Sequence, residues 1–472
     1  MKNPSCKPLL SGMLCALLIL LSGPATAHRL PKIKNPDGKG YIYRYELRDK
    51  EGTRHSIERP QQFLSARAIE RRRRQGLAVD STDLPVSERY VKLFSGKGVR
   101  VVGTSRWNNS VLVFVRDTAT ARWLAQLDCV ARCRRVWTAP DSVELSSQAG
   151  KVQSRFNRWD SVANNRYAAT SEQMRQLGGT ALHDRGFTGR GMHIAVLDGG
   201  FRNVNLIPAF RQCRILGTRD FVYPPSPNIY QETDHGTKVL SAMAVSAPHV
   251  FIGTAPDAAY WLLRSEDQRS EQPVEEDYWT MAAEFADSAG ADIINSSLGY
   301  HLFDHRADNH RYGEMDGHTA FISRAASMLG RKGIVLVTSA GNSGMGPWKK
   351  ITFPGDADDA LTVGAVTIDR RNAPFCGVGP TQDGRIKPDV MAPGSPTSLI
   401  SGRGAVVQDM GTSFSCPLIS GLVACLWQAY PDKTALDIVD MVRRSADRYQ
   451  QPDNVYGYGI PNFALLLSPD TH

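Results

Sequence analysis

A three-layer α/β/α domain with a mostly parallel sheet, preceded by a small α+β unit, is the fold class that this sequence predicts. Three observations carry it. From Tyr167 onward, apolar runs at 193–197, 259–264, 291–295, 333–338 and 361–368 alternate with helical stretches, the mark of parallel strands covered on both faces. The stretch from Asp409 to Trp427 starts as a small-residue turn and continues as a helix that is apolar on nearly every side, so it belongs in the middle of a domain. Residues 28–150 instead mix short strands with two helices, compatible with an open-faced sheet.

In chain order, residues 40–47, 99–102, 110–116 and 133–138 read as strands of the first unit, with helices at 65–75 and 118–127. The four arginines at 71–74 read as a solvated helix face, with a docking or processing site as the alternative. Residues 141–166 are polar and poor in aliphatics, as a linker is. Beyond it, Asp234-His235-Gly236-Thr237 opens a helix over 238–246, and residues 249–253 read as a strand. Helices follow at 274–288 and 320–330. Residues 387–394 look turn-like. Pro417 fits the first turn of the buried helix, where its missing N–H goes unnoticed.

The chain has 472 residues, 42% apolar and 22% charged, enough for two or three domains. Its net charge of +9 is unevenly spread, +14 over residues 28–166 and −7 over 167–472. Such a split fits nucleic-acid binding or two parts that dock on each other. No basic motif with interleaved aromatics occurs, which favours docking and no nucleic-acid partner. Residues 1–27 have the parts of a secretory signal peptide: Lys2 and Lys7, an apolar run over 9–21, and Ala25-Thr26-Ala27 for cleavage. No later stretch reads as a transmembrane helix, so the expected location is secreted, periplasmic or otherwise outside the cell envelope. Export permits disulfides; Cys129 and Cys133 are close enough in sequence to pair across a turn, whereas Cys416 and Cys425 read as packing residues. No cysteine–histidine array suggests a metal.

Asp198, Ser297 and Asn342 each fall where a predicted parallel strand has just ended, the edge at which such sheets gather working residues. Ser413 sits at the N-terminus of the buried helix, where outward N–H groups and the helix dipole favour negative charge. It is either a cap or a nucleophile. Acyl transfer by serine needs a base, an orienting acid and oxyanion donors besides the nucleophile. His235, Asp198 and the Asn342 side chain supply candidates for each, and Gly236 leaves room for a substrate beside His235.

These segments resemble those of the subtilisin-like serine peptidases, the subtilases. The resemblance is carried by Ile194-Ala195-Val196-Leu197-Asp198, His235-Gly236-Thr237, Ala340-Gly341-Asn342 and Gly411-Thr412-Ser413-Phe414-Ser415-Cys416-Pro417, and extends through Gly253-Thr254-Ala255-Pro256, Ser297-Leu298-Gly299, Thr362-Val363-Gly364-Ala365-Val366 and Gly457-Tyr458-Gly459-Ile460-Pro461. It implies a catalytic Asp198, His235 and Ser413, an oxyanion donor in Asn342, and substrate-binding edges at Ser297, Leu298 and Gly299 and at Ser339, Ala340 and Gly341. It implies cleavage of polypeptide substrates through an acyl-enzyme, with no cofactor needed for the chemistry and no catalytic metal; structural calcium is left open. It also implies a folding-assisting, cleft-blocking propeptide at 28–166 and a peptidase domain at 167–472. Cys416 stands where a small residue is usual and Phe414 where many members have Met, and both keep the packing around Ser413 apolar. The loop 300–317 (Asp304, His305, Asp308, His310, Glu314, Asp316) is longer than the family minimum and reads as solvated, with a cation site as the alternative. A non-peptidase acyl hydrolase is disfavoured by the absence of a Gly-x-Ser-x-Gly elbow, and a silent binding module by the complete set of catalytic residues.

Overall fold

The computed structural model describes residues 32–34, 38–144, 165–222 and 228–467. The expected signal peptide and most of the expected linker lie outside them. The first unit is a four-stranded antiparallel sheet in the order Val99–Ser105, Ser110–Val115, Tyr41–Leu47, Val130–Thr138. Its helices are Ala66–Arg74, Glu88–Leu93 and Thr118–Leu124. The sequence showed no sign of Glu88–Leu93, because six residues are too few to display a helical period.

The strand Tyr41–Leu47 shows how this sheet serves two masters. Alternate side chains point to opposite faces. Tyr45 and Leu47 join Val111, Val113, Val115 and Leu124 in the unit's own core. Ile42, with Leu112, Phe114 and Trp137, packs instead against Val222, Val274 and Tyr278 of the second unit. Arg44, on that same outer face, forms a bidentate pair with Asp277 at 2.7 and 2.6 Å.

The second unit is built on a seven-stranded, fully parallel sheet. Its order is Val390–Ser395, Leu361–Thr367, Val335–Ser339, Ile293–Ser296, His193–Asp198, Ala259–Arg264, Arg214–Asp220. The core helix Thr412–Ala429 packs across the strands from Val390–Ser395 to Ile293–Ser296 beside the helix His235–Ala244, and Val274–Ala289 covers His193–Asp198 and Ala259–Arg264. Among the described residues, Thr412–Ala429 is the helix long and apolar enough to cross a membrane, and it is buried in this core.

Several expectations are corrected here. The segment expected to turn at 387–394 contains the edge strand Val390–Ser395, whose Pro393 sits where the ladder does not need every N–H. Residues 249–253 contribute only Phe251–Ile252, paired with Ser246–Ala247 outside the main sheet. Pro417 is not in the first turn: the helix begins at Thr412, and Pro417 lies inside it. Proline there leaves the carbonyl four residues back, that of Ser413, without its helical donor. The Ser297 hydroxyl fills that role at 2.8 Å. Cys129 and Cys133 are free, because Val130–Thr138 is extended and four strand residues span about 13 Å, beyond disulfide reach.

The arginine run is also not simply solvated. Arg71 and Arg72 are buried, and together with Arg106 they converge on Asp287 of Val274–Ala289. Arg72 also meets Asp83 at 2.8 Å, while Arg73 reaches only the exposed Glu70. Lys332, itself buried, binds Asp83 at 3.0 Å from the other side, and Arg67 pairs with Asp292. The basic first unit therefore docks on the acidic second one, as the charge split suggested. Nor is the loop at 300–317 wholly solvated. His310 is buried between Glu276 and Glu314, at 2.8 Å from each. Among the described residues no group of His, Cys, Asp and Glu is arranged to hold a metal ion.

Candidate active site

Asp198 ends the central strand His193–Asp198 and is fully buried. Its carboxylate is held by the Gly199 N–H at 2.8 Å and by the Nδ1 of His235 at 2.9 and 3.0 Å. His235 is the first residue of its helix, which presents the ring from a fixed backbone position. Gly236 is needed for a different reason than expected. A side chain there would collide with Asp198 and with the carbonyl of Gly200, so glycine lets the carboxylate approach the helix start. Phe414 packs on the imidazole, ring centroids 5.6 Å apart.

Burial opposes a charge on His235, but the Asp198 carboxylate and its hydrogen bond outweigh this, with a smaller push from Glu266, and the imidazole pKa is raised to about 9. Glu266 lies just past the strand Ala259–Arg264 and lines the same cleft. Burial, helped by the charge of Asp198, lifts its carboxyl to about 7. Sequence reasoning missed Glu266, although the rule that selected Asp198, a polar residue just past a parallel strand, would have found it.

Ser413 is the second residue of the core helix. Its hydroxyl donates to the Ser297 carbonyl at 3.1 Å while the Ser297 hydroxyl donates back to the Ser413 carbonyl. Asn342 follows Val335–Ser339 by three residues. Its Oδ1 accepts from the N–H of Thr412 at 3.0 Å and from the Thr412 hydroxyl at 2.9 Å. That fixes the carboxamide plane and leaves the NH₂ as the end available to the cleft. Thr412, to which the sequence assigned no role beyond its place in the motif, is therefore what orients Asn342.

These side chains share one cleft of about 320 Å³. It is lined by His235, Glu266, Ser297, Leu298, Gly299, Ser339, Gly341, Asn342, Thr352 and Ser413, among others. Of the predicted site residues only Asp198 and Ala340 do not line this cleft: both are fully buried, and Asp198 reaches it through His235. A larger cavity of about 640 Å³ lies between the two units, lined by Val101, Met281 and Phe285 among others, and contains none of the predicted site residues.

Comparison with known proteins follows the same division. Subtilisin NAT of Bacillus subtilis subsp. natto is 28% identical over 294 residues, covering 61% of this chain and 68% of its own. Subtilisin J of Geobacillus stearothermophilus is 26% identical over 406 residues, covering 79% and 94%. The crystal structure of MycP1 from Mycobacterium smegmatis shares the fold, with a TM-score of 0.52 at 21% identity, covering 69% of this chain and 89% of that one. The family model for the Peptidase S8 propeptide domain, Bacteroidota, matches residues 43–154, of which 43–144 lie in the docked first unit. The subtilase family model matches residues 189–459, from before Asp198 to beyond Ser413 and over more than half of the sequence, so this serine-type endopeptidase belongs to the subtilase family.

Proposed function

We propose that the chain is an exported precursor in which residues 1–27 are a signal peptide, 28–166 a propeptide with its linker, and 167–472 the peptidase domain. On this reading it acts outside the cytoplasm on polypeptides, by an Asp198–His235–Ser413 triad. Ser413 Oγ attacks the scissile carbonyl carbon as His235 Nε2 takes its proton. The carbonyl oxygen becomes an oxyanion and is held by the Asn342 NH₂ and the Ser413 N–H. His235 then protonates the leaving amine as the C–N bond breaks, and water repeats the sequence to free the acid and restore Ser413. Asp198 holds the Nδ1–H tautomer and stabilises the imidazolium. These steps use groups of the chain itself and a water molecule. The observation that carries this reading is that His235, held by the buried Asp198 at 2.9 Å, lines one cleft with Ser413 and with an Asn342 whose carbonyl end is already occupied.

The test is digestion of an intact unfolded protein by the self-processed chain, with and without a serine-directed phosphonylating reagent. Complete digestion that the reagent abolishes is the expected result. Hydrolysis of small esters without cleavage of the protein would point to an acyl hydrolase, and neither activity would point to a silent module.

The electrostatics of His235 give a second prediction. A base must be neutral to accept a proton, and a pKa raised to about 9 means that activity climbs with pH towards that value. Glu266, whose carboxyl lies near 7, is charged at pH 8 and helps His235 keep its proton. Glu266→Gln removes that charge, lowers the His235 pKa and moves the acid limb of kcat/KM to lower pH. At pH 8 the gain is about two- to tenfold, the size of one screened charge interaction. An acid limb that does not move would show that Glu266 does not act on His235.

The same shift sets a stability window. A raised pKa on His235 contributes fully below its ordinary value of 6.5 and is lost as pH rises through about 9.

A further inference from the structure

The two edges at 297–299 and 339–341 flank a recess beside Ser413, and what closes that recess decides which residue can be cleaved. The scissile carbonyl must lie against Ser413 Oγ with its oxygen towards Asn342. Ser297 is bonded to Ser413, and Gly341 directly precedes Asn342. The side chain of the residue that bears the carbonyl therefore enters between Gly299 and Gly341. That space holds Thr352. Its Oγ1 stands 2.1 Å from where a Cβ on Gly299 would be and 2.4 Å from where a Cβ on Gly341 would be. One side chain thus touches both walls at once.

Thr352 cannot easily swing away. Its N–H donates to the Ala340 carbonyl at 3.1 Å, and the next residue, Phe353, exchanges backbone hydrogen bonds with Tyr300 at 2.9 and 3.0 Å. The segment is thereby sewn to both edges. Thr352 is 3% exposed, and its hydroxyl has no hydrogen-bond partner among the described residues. A buried hydroxyl left in this state favours a ligand that brings a donor or acceptor to it.

We propose that Thr352 is the specificity-determining floor of this recess, and that the enzyme cleaves after small residues, alanine and serine, and rejects aromatic ones. This rests on the serine-peptidase reading given above. The substrate's alanine methyl group or serine hydroxymethyl group sits over Thr352, and a serine hydroxyl also meets the unpartnered Oγ1. A phenyl ring would have to displace a side chain anchored through its backbone on two sides.

The test compares peptide p-nitroanilides that differ only in the residue before the anilide, alanine, serine or phenylalanine, on the self-processed full-length product. Active sites are counted in every preparation by phosphonylation of Ser413. The wild-type protein is expected to show kcat/KM at least about tenfold higher for alanine than for phenylalanine, the scale of discrimination by pocket size, with serine at least equal to alanine. Thr352→Gly is expected to lower the alanine-to-phenylalanine ratio at least tenfold. Thr352→Val, which keeps the volume and removes the hydroxyl, is expected to retain that ratio and to lose the preference for serine. If Thr352→Gly yields no titratable sites, the wild-type and valine ratios decide alone. Protein that titrates and cleaves phenylalanine as well as alanine overturns the inference and leaves the peptidase reading intact. Protein that neither titrates nor cleaves any of the three overturns that reading itself.

Discussion

Ser413→Ala lowers kcat on a peptide amide by about 10⁶-fold. The figure comes from subtilisin itself, where loss of the nucleophile alone costs about 2 × 10⁶. The geometry explains why so little can substitute. Ser413 is only 8% exposed, fixed in a helix, and held with its hydroxyl and carbonyl both bonded to Ser297. The neighbouring Thr412 hydroxyl, at the first position of the core helix, is already committed to Asn342 Oδ1 at 2.9 Å. The folded state should hardly notice the change. One hydrogen bond to a backbone carbonyl is lost, worth about 1 kcal/mol, and the Ser297 hydroxyl still reaches the Ser413 carbonyl freed by Pro417. Steady-state kinetics together with urea unfolding separate the two effects: a collapse in kcat with a nearly unchanged midpoint is expected. In the same variant the full-length chain should accumulate if the propeptide is removed by the enzyme's own action.

Asp287→Ala weakens binding of the propeptide unit by about 3–5 kcal/mol, the usual consequence of removing one member of a buried charge cluster, or about two to nearly four orders of magnitude in affinity. Three guanidinium groups, of Arg71, Arg72 and Arg106, converge on this one carboxylate. Burial alone would raise its pKa, but the three arginines outweigh that and pull it down to about 2. A depressed pKa contributes stability above the ordinary value of 3.8, lost only as pH falls towards about 2. This cluster therefore does not release the propeptide under mildly acidic conditions. The measurement is titration of residues 28–166 against residues 167–472 carrying Ser413→Ala, with and without Asp287→Ala. Because the pairs are buried while the +14 and −7 charges are spread over both units, added salt should slow association much more than it speeds dissociation. Binding unaffected by the substitution would mean that the apolar patch around Ile42, Phe114 and Tyr278 holds the units by itself.

The site was legible in the sequence to the extent that each residue carried a local signature. Asp198 ends an apolar strand, His235 opens a helix, Ser413 begins a helix apolar on all sides, and Asn342 lies between glycines, or nearly so, just past a strand. What stayed hidden depends on partners far away in the chain. Arg71 and Arg72 look like a solvated face until Asp287, more than 200 residues on, takes their charge. Gly236 looks like room for a substrate until Asp198 is placed against it. Pro417 looks like a first-turn residue because nothing local announces that Ser297 will satisfy the orphaned Ser413 carbonyl.

The same logic applies to the sheet. Its middle strands are continuous apolar runs and were read correctly as buried. The edge strand Arg214–Asp220 is partly exposed along its length and shows no such run. Val390–Ser395, at the other edge, is disguised by Pro393 and Gly394. Thr352 left no trace at all, because its importance lies in two glycine walls that meet only in three dimensions.

On the proposed mechanism Ser413, activated by His235 and Asp198, is the residue that becomes acylated. Peptide mapping by mass spectrometry, after treatment of the processed protein with a serine-directed phosphonylating reagent, locates the reactive serine. A single adduct on Ser413, matching the loss of activity one for one and absent when His235 is replaced by alanine, is the predicted result. An adduct on any other serine, or peptidase activity that survives full modification of Ser413, would contradict it.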